Sequence, residues 1–268
     1  IRGQDLGLVL HSPEQVAAVA ASDGAEAIPC FLKVDTGMHR LGVAPEAVPG
    51  LVTTLRESAA VVFMGLFSHL ARADDPADPY NADQIGALHS AAASAPDTPL
   101  SLANSAALLA LPQARLDWVR PGLMLYGASP FPASEGADLG LKPVLALTSE
   151  VIAERTLEPG QWLGYGTGFQ APRRLRVGVV PLGYGDGYSR QLGTGTPVRI
   201  EGVATRTLGN VCMDMIFVDL DNLPQMGVGA QVELLGPGVP AEVLARAGGT
   251  IPYEVLCGLR NRLHRETV

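Results

Sequence analysis

The first half of the chain is written in one repeating unit, a short apolar run followed by a stretch of helical periodicity. "LGLVLHS" (6–12) reads as a buried strand, and "PEQVAAVAAS" as a helix with Pro13 in its first turn, where a missing N–H costs nothing. "PCFLKVD", "VVFMGLFSHL" and "LSLAN" are further strands. "APEAVPGLVTTLRES", "NADQIGALHSAAASA" and "SAALLALP" are the helices between and after them, and "LDWVRPG" and "LMLYG" close the series. Strands that are apolar throughout need cover on both faces, so the pattern dictates a parallel sheet with βα crossovers. The visible units are too few to close a (β/α)8 barrel. The expectation is an open sheet, or a barrel whose first strands lie upstream of Ile1.

The text changes after "SPFPASEGADLG" (129–140), which is rich in Pro, Gly and Ser. This places a partial (β/α)8 barrel over residues 1–132 and a second domain over 133–268. The second domain is a succession of β-branched runs bounded by Gly, Pro, Asp and Asn: "PVLALTSEVIAER", "RLRVGVVPLG", "TPVRIEGV", "MIFVDL" and "AQVELLG". One helix, "PAEVLARAG", interrupts them. The expectation is a mostly antiparallel β-strand domain.

A formal net charge of −8 argues against general binding to nucleic acid and against a basic membrane-surface role. No apolar stretch is long and uncharged enough to span a bilayer. Cys30, Cys212 and Cys257 are an odd set without CxxC spacing, which reads as reduced thiols of a cytoplasmic protein and not as a disulfide framework or a metal site. Only Lys33 and Lys142 among the 19 basic residues are lysines. Lys33, at the end of an apolar strand, is therefore the natural first candidate for a reactive amine.

In a parallel βα barrel the functional residues sit where strands run into loops. Arg40 follows the Lys33 strand by one loop, His69 ends "VVFMGLFSHL", Asn104 and Ser105 end "LSLAN", and Arg120 ends "LDWVR". Singly each has a plain structural explanation; Asn104 or Ser105 could be only a helix cap. Together they converge on one mouth. Ser105 with the backbone N–H groups of Gly122 and Leu123 would suit a phosphorylated ligand. In the second half, "WLGYGTGF" holds Tyr165, "PLGYGDGYSR" holds Tyr184, Asp186, Tyr188 and Arg190, and "LGNVCMDMIFVD" holds Cys212, Met213 and Asp214. These are equally good as hairpin turns and as a site that needs phenols beside closely approached backbone.

"FLKVDTGMHRLGV", "GLFSHLARAD", "LANSAALL", "DWVRPGLMLYGASP", "LKPVLALTSEV", "GYGTGF", "VPLGYGDGYSR", "GNVCMDM" and "GTIPYEVLCGLRNRLHR" together resemble the motifs of alanine racemases, in that family's order and along the whole chain. The resemblance implies a pyridoxal-phosphate (PLP) enzyme with a (β/α)8 barrel followed by a β-strand domain. It implies a cytoplasmic homodimer whose active site is shared across subunits, with D-alanine supplied for peptidoglycan. The family's covalent cofactor lysine sits in a "VKANAYGHG"-like stretch that this sequence does not contain, so the resemblance covers the family's last two-thirds or so. A non-catalytic truncated fragment, or a serine racemase of the same fold, are the alternatives weighed. A decarboxylase of this fold is disfavoured by "NVCMD" and "GYGDGY".

By resemblance, Arg120 faces the pyridine nitrogen, and His69 links Arg120 to the catalytic tyrosine. Ser105, Asn104, Gly122, Leu123 and Tyr253 belong with the cofactor's phosphate. Arg40 lies near the cofactor's phenolic oxygen and the substrate carboxylate. Tyr165 is the tyrosine base, acting from the partner subunit. Met213 helps to hold the carboxylate, Tyr184 lines the substrate path, and Asp214 stands in the site wall. Lys33 matches a lysine that is carbamylated in some relatives and orients the arginine equivalent to Arg40. Asn210 departs from the pattern, because many relatives place Arg there.

Overall fold

The computed structural model describes residue 4 and residues 6–24 and 26–267. They divide into two compact units, Ile1–Gly122 and Leu123–Val268.

The first unit alternates β1 (Leu8–Leu10), α1 (Pro13–Ala20), β2 (Ile28–Lys33), α2 (Val48–Glu57), β3 (Val61–Phe67), α3 (Tyr80–Ala92), β4 (Leu100–Ser101) and α4 (Ser105–Ala110). The strands pair in the order β1-β2-β3-β4, every pair parallel. The helices form where the sequence supplies caps and one apolar face. Ser12 caps α1 by accepting from the Gln15 N–H, and Pro13 occupies its first turn. Val48, Val52 and Leu55 of α2 fall at helical spacing and are buried. Leu32, Leu66, Leu100 and Leu102 carry the core at the sheet. The first strand is shorter and more exposed than the apolar run suggests: Leu6 is 51% and Val9 46% exposed, and only Leu10 is buried. Among the described residues β1 has a strand neighbour on one side only, so its run is half covered.

The second unit opens with single 3-10 turns at Leu123–Tyr126 and Gly136–Leu139. It continues with β5 (Leu147–Glu150), β6 (Ala153–Leu157), β7 (Leu175–Val180), β8 (Pro197–Ile200), β9 (Val203–Leu208), β10 (Ile216–Asp219), β11 (Gln231–Leu235), α5 (Ala241–Ala247) and α6 (Pro252–Gly258). Seven strands pair in the order β5-β11-β8-β9-β10-β7-β6, every pair antiparallel. "PVLALTSEVIAER" is not one strand. The chain changes partner at Val151–Ile152, leaving β11 as β5 and joining β7 as β6. The C-terminal end adds α6, a helix to which the sequence reading gives no element, started by Pro252 in its first turn. Glu242 of α5 is 4% exposed and accepts hydrogen bonds from the Ser129 and Gly136 N–H groups at 2.6 and 2.8 Å, so the Pro/Gly-rich stretch is tied down by a buried carboxylate.

One glycine fixes how β3 meets the segment before β4. Gly65 has φ +147°, and a Cβ there would lie 2.2 Å from the Pro99 carbonyl oxygen. The adjacent Leu66 N–H donates to that same oxygen at 2.9 Å. Gly65→Ala is expected to destabilise the first unit by roughly 3 kcal/mol, combining backbone strain with overpacking. The two tryptophans, Trp118 and Trp162, report one unit each. Urea unfolding followed by Trp118 fluorescence in a Trp162→Phe background measures the loss.

Candidate active site

The C-terminal ends of β2, β3 and β4 bring Lys33, Phe67 and Ser101 side by side, and Arg120 reaches into the same place. Its NH1 donates to Ser101 Oγ at 2.5 Å, and its NH2 to the carbonyls of Ser68 (2.7 Å) and Leu102 (3.1 Å). The guanidinium lies 3.9 Å from the centroid of the Phe67 ring, while Lys33 Nζ lies 5.2 Å from it. Every one of these acceptors is neutral. Among the described residues no carboxylate pairs with Arg120, Lys33 or Arg40. Asp35, whose charge acts on Lys33, is engaged with the N–H groups of Gly37 and His39 and with His39 Nδ1.

His69 stands beside this guanidinium. Its Nδ1 lies 3.4 Å from Arg120 NH2, so that nitrogen is the acceptor and the proton sits on Nε2. Burial, and then the charges of Arg120, Arg40 and Lys33, push its pKa down to about 4. The imidazole is neutral at physiological pH and presents an N–H donor. Burial also lowers Arg120 to about 10, which leaves it charged under the same conditions. Lys33 is lowered by burial first, then by Arg40 and Arg120.

The loops carrying these groups are held by residues the sequence does not advertise. Gln84, fully buried on α3, accepts from the Ala71 N–H and donates to the His69 carbonyl, bracketing the histidine. Ser68 Oγ donates to the Val34 carbonyl and meets Thr36 Oγ1 at 2.7 Å. The turn before Arg40 is pinned by Asp35 and by Tyr80, whose hydroxyl donates to the Gly37 carbonyl at 2.9 Å. Arg40 itself is exposed. A strand-end position would have pointed to Phe67 and Ser101; nothing short of the fold would have pointed to Gln84.

At α4 the Asn104 side chain is spent on capping, its Oδ1 accepting from the Ala107 N–H. Ser105 Oγ accepts from the Gly122 N–H at 2.9 Å, joining two of the expected phosphate contacts directly. The other two, Leu123 and Tyr253, belong to the second unit: Leu123 is buried in its core, and Tyr253 stands 44% exposed on α6.

In the second unit Tyr165, Tyr184, Met213 and Asp214 line one open concavity of about 790 Å³. Two backbone bonds hang the Tyr184 loop on the Met213 loop: Tyr184 N–H to the Cys212 carbonyl (3.0 Å) and Gly185 N–H to the Met213 carbonyl (2.8 Å). Gly183 permits that approach, because a Cβ there would lie 2.3 Å from the Cys212 oxygen. Arg262 clamps the two loops from outside, donating from Nε to Asp186 (2.6 Å) and from NH2 to Asp214 (2.5 Å).

Residues 1–130 match the family described as alanine racemase, N-terminal domain, and residues 144–267 match alanine racemase, C-terminal domain. The chain belongs to the alanine racemase family. It is 49% identical to the alanine racemase of Acidithiobacillus ferrooxidans over 97% of this chain and 72% of that one, and 46% identical to that of Thiobacillus denitrificans. The crystal structure of the biosynthetic alanine racemase from Pseudomonas aeruginosa matches with a TM-score of 0.93 at 40% identity, covering 98% of this chain and 73% of that one. A Bartonella henselae alanine racemase with covalently bound pyridoxal phosphate matches at 0.88 and 28% identity, over 99% of this chain and 74% of that one. The fold is that of the family, a barrel-like N-terminal unit of parallel strands followed by an antiparallel sheet unit. Among the described residues no helix is long and apolar enough to cross a membrane, and no cluster of His, Cys, Asp and Glu could hold a metal ion.

The pH behaviour of this racemase-family site has a definite sign. The folded-state pKa of His69 lies below its ordinary value of 6.5, so the unfolded chain binds the proton more readily. Its contribution to stability is fully present above pH 6.5 and is lost as the pH falls toward 4. His69→Gln should flatten the stability of the first unit across that window; denaturant midpoints at a series of pH values measure it.

Proposed function

We propose that this protein interconverts L- and D-alanine with pyridoxal phosphate, in the cytoplasm, as a homodimer that supplies D-alanine for peptidoglycan. The observation that carries the reading is the half-buried Arg120 guanidinium, held among the described residues by neutral acceptors only and backed by a neutral His69. A partly desolvated charge with no carboxylate partner among the described residues suits a site whose counter-charge arrives with the ligand. The donor set fits the cofactor: an arginine for the ring nitrogen, a Ser105–Gly122 pair for the phosphate, and cations that lack a carboxylate partner among the described residues for carboxylate or phosphate oxygens.

When bound, pyridoxal phosphate supplies the electron-withdrawing group that acidifies the Cα–H of the amino acid. Arg120 would face the ring nitrogen as a donor and, because a guanidinium holds its protons, would leave that nitrogen unprotonated. That favours simple proton exchange at Cα over side reactions. Ser105 and Gly122 would hold the phosphate, Asn104 would fix the start of α4 from which Ser105 projects, and Leu123 and Tyr253 are assigned to the same group by the family resemblance. Arg40 would hold the substrate carboxylate, and the partner subunit's concavity, which carries Tyr165, would bring the Met213 backbone to it with Tyr184 and Asp214 beside its path. Tyr165 of the partner subunit moves the proton on one face of Cα, and a second base serves the other face. His69 passes the orientation of Arg120 to that tyrosine.

Lys33 supports Arg40. Burial, then the charges of Arg40 and Arg120, lower its pKa, the direction that favours the neutral amine. Addition of that nitrogen to carbon dioxide, with loss of a proton, gives a carbamate whose negative charge pairs with Arg40. A ¹³C carbamate resonance in enzyme equilibrated with labelled bicarbonate, absent from Lys33→Met, is the expected result; a plain amine contradicts it.

The enzyme expressed from its complete gene and loaded with pyridoxal phosphate should convert either alanine enantiomer to the racemate. Tyr165→Phe should lower kcat by at least about 100-fold, the loss typical of removing a general acid–base group. Polarimetry on both enantiomers checks this, and an unmodified enzyme that exchanges neither would overturn the reading.

A further inference from the structure

Tyr165 is attached to the molecule in an unusual way. It is 72% exposed, and it sits between Gly164 and Gly166, both in the left-handed region at φ +68°. Glycine on both sides leaves the backbone free to rotate, so the position of the phenol is not fixed by chain stiffness. The loop is closed at its base by the Leu163 N–H, which donates to the Phe169 carbonyl at 3.0 Å. Packing does not locate the exposed tip.

The contact at the tip comes from Asn210. Its Nδ2 donates to the Tyr165 carbonyl at 3.0 Å. The same carboxamide lies flat against Gly168: a Cβ built there would be 2.6 Å from both Cγ and Nδ2, and 2.7 Å from Oδ1. Asn210 is in turn a fixed point, just past the end of β9. The preceding Gly209, at φ +71°, donates its N–H to Thr194 Oγ1 at 2.7 Å, and the Asn210 carbonyl accepts from Cys212 Sγ at 3.7 Å. A rigid strand end therefore reaches across to the carbonyl of the residue whose side chain lines the concavity.

We infer that Asn210 is a positioning residue for Tyr165: its carboxamide, seated on Gly168, fixes the backbone from which the proton-transferring phenol projects. The inference rests on the reading of Tyr165 as that phenol. It gives Asn210 and Gly168 one shared task. An aspartate at 210 would keep the shape but replace the donor with an oxygen that repels the carbonyl. An alanine at 168 would leave Asn210 chemically intact but push its amide off the carbonyl. Gly168 is not in the left-handed region, so the alanine brings no backbone strain of its own.

The test uses holoenzyme from the complete gene, with rates expressed per bound cofactor, and four variants: Asn210→Asp, Gly168→Ala, their double, and Tyr165→Phe. Asn210→Asp and Gly168→Ala should each lower kcat by about tenfold with KM changed by less than about twofold, since misplacing a reacting group acts on the chemical step. The double variant should lose no more than either single, because both break the same contact. The limb of the kcat pH profile that disappears in Tyr165→Phe should shift in both singles, a change that general weakening of the fold does not produce. Wild-type kcat in Asn210→Asp and Gly168→Ala, alongside an inactive Tyr165→Phe, would overturn the role of Asn210 and leave the tyrosine's role standing. Losses that multiply in the double variant, or that fall on KM alone, would also overturn it. A fully active Tyr165→Phe would overturn the underlying reading and the inference with it.

Discussion

The arrangement of the first unit depends on half-burying one guanidinium that has no carboxylate partner among the described residues. Moving an arginine out of water is costly unless its donors are met. Arg120 meets them with the Ser68 and Leu102 carbonyls and the Ser101 hydroxyl, and lies on the face of Phe67. Those acceptors come from the ends of two neighbouring strands, β3 and β4, so the group that will face a ligand also ties the strand ends together. Because the acceptors are neutral, the positive charge is not cancelled locally. Burial first, and then this charge together with that of Arg40, depresses the proton affinity of His69 and Lys33.

The second unit reaches its geometry through close backbone approach rather than charge burial. The Tyr184 and Met213 loops lie in one concavity because glycines at 183 and 185 let their backbones touch, and because Arg262 bridges Asp186 and Asp214 across the outside. Gly187 plays the same part toward the chain after α6: a Cβ there would lie 2.0 Å from the Gly258 oxygen. These glycines read equally as hairpin turns in the sequence. The structure holds both: the Asp186 N–H donates to the Gly183 carbonyl at 3.0 Å and closes a turn, but Gly183 and Gly185 lack positive φ, so what demands glycine there is the proximity of another segment and not the turn.

That distinction marks where sequence reading succeeds and where it stops. Strands β2 and β3 were legible because a doubly covered strand is apolar throughout, and their ends located Lys33 and His69 correctly beside Arg120. What holds those residues was not legible. Gln84 falls among polar positions of an ordinary amphipathic helix, and its burial depends on where α3 lands over the loop after β3. The division of "TSEVIAER" between two sheet neighbours was hidden for a similar reason: strand propensity records extended backbone and not the partner. α6 was hidden because it is only seven residues long, and its Val255 and Leu256 gain cover from packing on the second unit's core and not from local propensity. The resemblance to a family supplied roles for Tyr165 and Met213 that no spacing rule contains.

The chain as a whole is acidic, yet the mouth of its parallel sheet gathers Lys33, Arg40 and Arg120 around one neutral imidazole. Net charge governs solubility and long-range partners, whereas a pocket's chemistry follows from the few groups within a Debye length of it. Among the described residues these three cations have no carboxylate partner, so they repel one another, and an anion binding among them relieves that repulsion. Whatever relieves it binds the folded chain and not the unfolded one, so the strain at the mouth and the affinity for an anionic ligand are two measures of the same free energy.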